Sequence, residues 1–178
     1  MSTIPKGKVI YLNGVNGSGK STLAKSLQVT LDQAFLHVEF DKFIAMLPQR
    51  KDIDAFGYMA NGFLHAMAAM LEQGCNLIID HVLIQDAWLK ESVKILQPYE
   101  VMFVKVFCPL HVLESREKAR YGAIKGISAS QFKAVNRDVT YDLELDSSTE
   151  SPENMSHAVM ARFKEGDFLA FSVMANKK

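Results

Sequence analysis

The residues most able to do chemistry stand near the start of the chain. Gly14-Val-Asn-Gly-Ser-Gly19-Lys20-Ser21 matches the spacing G-x-x-x-x-G-K-[ST] in full. Glycines at these points let a backbone wrap an anion with its N–H groups turned inward. A helix starting at the loop's end adds the positive end of its dipole. A lysine in this position reaches the β- and γ-phosphates of a nucleotide, and the following hydroxyl is suited to Mg²⁺. Gly14, Asn16, Gly17, Ser18, Gly19, Lys20, Ser21 and Thr22 are therefore the candidate phosphate site. The pattern points to nucleotide phosphate binding but names no reaction.

Two carboxylates fall where apolar runs end. Asp80 closes Asn76-Leu-Ile-Ile-Asp80 and could hold Mg²⁺ together with Ser21, or cap the next helix. Asp41 follows Phe35-Leu-His-Val-Glu-Phe40. It could accept the proton of an attacking hydroxyl, or cap a helix beginning near Lys42. Glu39, two residues earlier, is the fallback base. Further on, Arg116 and Arg120 lie four apart on one helix face, ahead of the Gly-rich stretch Tyr121–Gly126. Closing as a lid, this segment (about 116–131) would bring guanidinium groups onto a transferring phosphoryl group and exclude water. The alternative is a solvated helix face, with Glu114, Glu117 and Lys118 as local partners.

The elements that must position these groups follow from periodicity. Short apolar runs alternate with helical patterns, the signature of a parallel sheet covered by helices. Val9–Leu12, Phe35–Phe40, Asn76–Asp80, Val101–Cys108 and Tyr141–Leu145 read as strands. Helices are expected over Ser21–Leu31, from a cap at Asp54 to about Gln73 with Gly74 as the stop, over Asp86–Leu96, from Pro109 through Arg120, and from Pro152 to about Lys164. In parallel sheets ligands collect beyond the carboxyl ends of the strands, where the loop and both aspartates stand. Phe56, Met59, Ala60, Phe63, Met67 and Met70 share one helix face and read as core, or as an adaptable apolar wall for an acceptor. Trp88 reads as packing. His81 could touch an acceptor or a phosphate, or be a satisfied structural group.

Taken together these residues resemble the chloramphenicol phosphotransferase-like proteins of the P-loop kinase superfamily, over roughly residues 8–163. The resemblance rests on Leu12-Asn-Gly with the loop through Ser21, Phe40-Asp41 with Met46-Leu-Pro48, and Ile78-Ile-Asp80-His-Val82. It continues through Arg116-Glu-Lys-Ala-Arg120, Tyr141-Asp142 with Leu145-Asp146, and Ser151-Pro152. It implies an α/β fold: a three-layer P-loop kinase with a five-stranded parallel sheet, order 2-3-1-4-5, and a helical lid. It implies ATP and Mg²⁺ as cofactors and phosphorylation of a hydroxyl on a small molecule. Asp41 would be the base, Arg116 and Arg120 would contact ATP, and the loop Asp146-Ser147-Ser148 would border the adenine. The member acting on chloramphenicol has a further lid arginine where this chain has Tyr121–Lys125, and an acidic residue where it has His81. Two other readings stay open: a sugar-nucleotide or other metabolite kinase of the zeta-toxin-like type, and a nucleotide-binding regulator with slow ATP hydrolysis.

Bulk properties agree. At 178 residues one domain over 1–178 is expected. Lys+Arg and Asp+Glu both number 20, which argues against nucleic-acid or anionic-membrane binding through bulk charge but not against a small anion. Two cysteines, expected to be buried thiols, are too few for a disulfide framework. The first residues lack a signal-peptide core and no run suits a membrane span, so a cytoplasmic protein is expected. The apolar tail, 166–178, should dock on its own domain or form a homodimer contact.

Overall fold

The computed structural model describes residues 5–48, 55–137 and 139–176. Five parallel strands form one sheet in the order β2-β3-β1-β4-β5, as expected. They are β1 (Lys8–Asn13), β2 (Phe35–Glu39), β3 (Asn76–His81), β4 (Glu100–Phe107) and β5 (Leu143–Asp146). The helices are α1 (Lys20–Thr30), α2 (Phe40–Ile44), α3 (Phe56–Glu72), α4 (Asp86–Leu96), α5 (Leu110–Tyr121), α6 (Ile127–Val135), α7 (Pro152–Glu165) and α8 (Ala170–Asn176).

Strand periodicity sorts the apolar residues into two layers. Val9 and Tyr11 of β1, Leu77 and Ile79 of β3, and Val101 and Phe103 of β4 face α3, α4 and α8. Their neighbours Ile10, Leu12, Ile78, Met102 and Val104 face α1 and α7. Both faces are covered, which is why these strands read as continuous apolar runs. Leu23 and Leu27 carry α1 onto the sheet, and Phe63, Met67 and Leu71 carry α3. A third cluster, Val15, Cys108, Leu113 and Val135, lies under α5 and α6.

Some boundaries differ from the sequence reading. The expected cap at Asp54 falls outside the described residues; α3 begins at Phe56, and Gly74, at φ 82°, follows its end. Cys108 is buried but Cys75 only half-buried, and both are free thiols. The segment after Arg120 is a tight connector rather than a loose loop. Gly122 and Gly126 adopt positive φ around it, and a second helix, α6, follows directly. Glu117 fastens it, accepting from the N–H groups of Lys125 (2.9 Å), Ile127 (3.1 Å) and Ser128 (3.4 Å). Only 5% exposed, Glu117 is no partner on a solvated face.

The tail docks on the chain's own core. Phe171 packs edge-on against Phe103, and Ala170 and Phe171 are buried in the α3/α4 layer. Asp142 holds it there: Oδ1 accepts from the N–H groups of Leu169 (2.8 Å) and Ala170 (3.0 Å), while Oδ2 accepts from Phe103 N–H (2.8 Å).

Candidate active site

Register brings the strand ends level: Leu12 pairs with Asp80, Asn13 with His81, and Glu39 with Asp80. Beyond them lies an open cavity of about 460 Å³. Asn16, Gly17, Gly19, Lys20, Ser21, Thr22, Asp41, Asp80, Arg116, Arg120 and Ser147 all line it. Gly14 and Ser18 do not; they shape the loop from beneath. A Cβ on Gly14 would run into the Val106 carbonyl and the Ser18 hydroxyl, so only glycine lets the loop lie this close to β4. Gly19, at φ 99°, turns the chain into α1, whose start no side chain caps.

Lys20 crosses the loop, its Nζ donating to the carbonyls of Gly14 (2.9 Å) and Val15 (3.2 Å) and standing 3.8 Å from Asp80 Oδ1. Burial pushes the Lys20 ammonium below its ordinary pKa; the charges of Asp80 and Asp41 oppose this, and Arg120 adds to it. Ser21 Oγ donates to Asp80 Oδ2 at 2.6 Å. Burial works to raise Asp80, but contact with His37, the Lys20 charge and the Ser21 hydroxyl together hold its carboxyl below the usual value.

Neither aspartate is a helix cap. α2 starts at Phe40 with Glu39 before it, so Asp41 lies inside the first turn, exposed on the cavity wall. β3 runs past Asp80 to His81, and α4 starts only at Asp86, after Gln85. Ser21 and Asp80 present a hydroxyl and a carboxylate side by side, the hard oxygens that Mg²⁺ selects. Glu39 and His37 also stand near: ligand atoms of His37, Glu39 and Asp80 lie within 4.8 Å of one another.

The two arginines of α5 differ. Arg116 donates to the carbonyl of Gly17 (3.1 Å), the Ser147 hydroxyl (3.1 Å) and the Ser147 carbonyl (2.8 Å), so it ties the phosphate loop to the loop after β5. Arg120, exposed, donates to Asn16 Oδ1 at 3.3 Å and lies over the Tyr121 ring, 5.9 Å from its centroid. Asn16 is held twice more from α6: its N–H donates to Gln131 Oε1 (2.9 Å) and its carbonyl accepts from Ser128 Oγ (3.4 Å).

Sequence reasoning did not single out Gln131, Glu150 or Met155. The last two complete the wall near Ser147. No motif marks them, because each reaches the site only through the fold. His81, weighed as a minor feature, is 4% exposed and lines the cavity. Burial, together with the Lys20 charge, lowers its pKa to about 3.

The sheet order, the glycine loop after β1 and the helices above it define a P-loop kinase fold. The chain belongs to the chloramphenicol phosphotransferase-like family, whose family model matches residues 7–164. It is 26% identical, over 174 residues covering 82% of this chain and 77% of the relative, to a Mycobacterium tuberculosis (strain H37Rv) protein bearing the name "Putative O-phosphotransferase". Among solved structures, the APS kinase CysC of M. tuberculosis, in complex with AMPPNP and APS, superposes at TM-score 0.71 and 19% identity, covering 90% of this chain and 99% of that one. The Deinococcus radiodurans tunicamycin resistance protein gives TM-score 0.72 and 16% identity (92% and 98% covered). A gluconokinase from Sinorhizobium meliloti gives 0.62 and 16% (99% and 100%). These three likenesses bear on the fold. Among the described residues no helix is long and apolar enough to cross a membrane.

Proposed function

We propose that the protein transfers the γ-phosphoryl group of Mg²⁺-ATP to a hydroxyl of a small, partly apolar molecule, chloramphenicol being the first acceptor to try. One observation carries this reading: a cationic wall, Lys20 and Arg120, and a carboxylate, Asp41, line the same cavity beside the loop. The hydroxyl oxygen attacks the γ-phosphorus as the bond to the ADP oxygen breaks, and its proton passes to the Asp41 carboxylate. Such base assistance is worth about 10²–10⁴-fold. Lys20 and Arg120 offset the charge on the phosphoryl oxygens. Arg116 and Ser147 join the phosphate loop to the loop proposed to border the adenine. Ser21 and Asp80 are the residues that would hold Mg²⁺, which when bound neutralises charge on the β- and γ-phosphates.

ADP release measured with and without a panel of hydroxylated acceptors tests the reading. A phosphotransferase of this kind shows acceptor-dependent release and a phosphorylated product. Slow hydrolysis at one rate, whatever acceptor is present, would refute the reading in favour of a nucleotide-binding regulator.

A further inference from the structure

The edge strand β2 brings groups to the site that phosphoryl transfer leaves unused. Side chains alternate along a strand, so Phe35, His37 and Glu39 share one face. Phe35 packs in the layer with α1, so this is the sheet face that α1, with Ser21 in its first turn, covers. Register sets His37 beside Ile78 and Glu39 beside Asp80. An imidazole and two carboxylates therefore gather at one point, with a ligand atom of each within 4.8 Å of the others.

His37 decides what the cluster is for. Its side chain is only 7% exposed, and its Nε2 is buried with no hydrogen-bond partner among the described residues. That nitrogen is aimed into the cluster, 3.6 Å from Asp80 Oδ2. The separation is too long for an N–H···O hydrogen bond, which spans about 2.7–3.2 Å. It is close to the spacing of two ligands on one ion: with bonds of about 2.1 Å, neighbours in a tetrahedron stand about 3.4 Å apart. Asp80 Oδ2 takes the Ser21 hydroxyl hydrogen on one lone pair and keeps another. The Lys20 ammonium stands at the other oxygen, 3.8 Å from Oδ1. Glu39 and Asp80 both line the open cavity, which gives an ion its way in.

We propose that His37, Glu39 and Asp80 form a site for a borderline divalent ion of the Zn²⁺ class, filled without nucleotide. One imidazole nitrogen with two carboxylate oxygens suits Zn²⁺ and leaves a tetrahedral position to water. Mg²⁺ takes oxygen ligands and gives up its waters reluctantly. The site shares Asp80 with the Ser21–Asp80 pair but not that pair's metal, because the histidine nitrogen changes the choice of ion. It needs neither ATP nor an acceptor, so it stands or falls apart from the transfer reading.

The test is a calorimetric titration of the nucleotide-free protein with Zn²⁺ in a large excess of Mg²⁺. One ion should bind per chain. His37→Gln, which replaces the ring nitrogen by an amide, should weaken binding about a hundredfold or more, and Glu39→Gln should weaken it as well. No binding to the parent, or Zn²⁺ affinity unchanged in either variant, would overturn the proposal.

Nitrogen NMR of the histidine-labelled parent gives an answer that does not depend on how a variant folds. Among the five histidines, the His37 Nε2 resonance should move as Zn²⁺ is added and stay in place when Mg²⁺ is added. Zn²⁺ bound with that resonance unmoved would put the ion elsewhere and sink the site. A resonance that follows Mg²⁺ as readily would overturn the choice of ion. Zn²⁺ held at His37 in a protein without acceptor-dependent ADP release would support the site and count against the transfer alone.

Discussion

Asp142→Ala should destabilise the fold through one carboxylate that serves three backbone donors. In the native protein Asp142 accepts from Phe103 N–H on β4 and from Leu169 and Ala170 N–H at the start of α8. Alanine strands the Phe103 donor beside the core, a loss of about 2–3 kcal/mol for a buried group that had a charged partner. The two α8 donors lie nearer water, and losing them resembles losing a helix cap, about 1–2 kcal/mol. The sum is about 3–5 kcal/mol, a large share of the roughly 5–15 kcal/mol that holds a domain together. With a urea slope of roughly 2 kcal/mol/M, the midpoint should fall by about 1.5–2.5 M. Hydrogen exchange should show the α8 amides opening well before those of β1. Asp142→Asn should lie between the two, since its amide nitrogen would face a donor. A midpoint within about 0.2 M of the parent, roughly 0.4 kcal/mol on the same slope, would refute the idea that this carboxylate fastens the tail.

Three further outcomes concern the site. Asp41→Asn should leave nucleotide binding nearly intact and slow transfer about 10²-fold or more, read by single-turnover kinetics; full activity would move the base, with Glu39 first in line. Lys20→Ala should raise the nucleotide Kd and cut turnover together, read by calorimetry and ADP release, and unchanged values would sink the loop assignment. Because His81 is held to a pKa of about 3, the unfolded chain binds a proton that the folded chain refuses between that value and the ordinary histidine range. Stability should therefore fall as pH drops through that window, and a melting-temperature profile should be flatter for His81→Phe than for the parent.

The sheet was legible because its strands are buried on both faces, so that Val9–Leu12 and Val101–Cys108 announce themselves by composition alone. The phosphate loop was legible because its chemistry demands fixed residue types within eight positions. What the sequence hid is long-range. Arg116 bonds to Gly17, 99 residues away, and to Ser147, 31 residues away, and nothing in its own helix says so. Glu117 read as a surface charge because its three partners are backbone amides, which leave no trace in residue type. The stretch Tyr121–Gly126 looked mobile for its glycines, yet Gly122 and Gly126 supply the left-handed turns that a short helix-to-helix connector needs. Tyr141 and Asp142 carried part of the family resemblance, and the folded chain gives both a structural use. Tyr141 accepts from Asn13 Nδ2, whose Oδ1 in turn accepts from Leu83 N–H.

Asn16 sits at the tip of the phosphate loop, and its amide N–H, carbonyl and side-chain oxygen are each bound by the α5–α6 pair. Glu117 fastens the two helices to each other, so any displacement of the pair from the loop would break three bonds to a single residue. One asparagine therefore ties the tip of the phosphate loop to both helices of the pair.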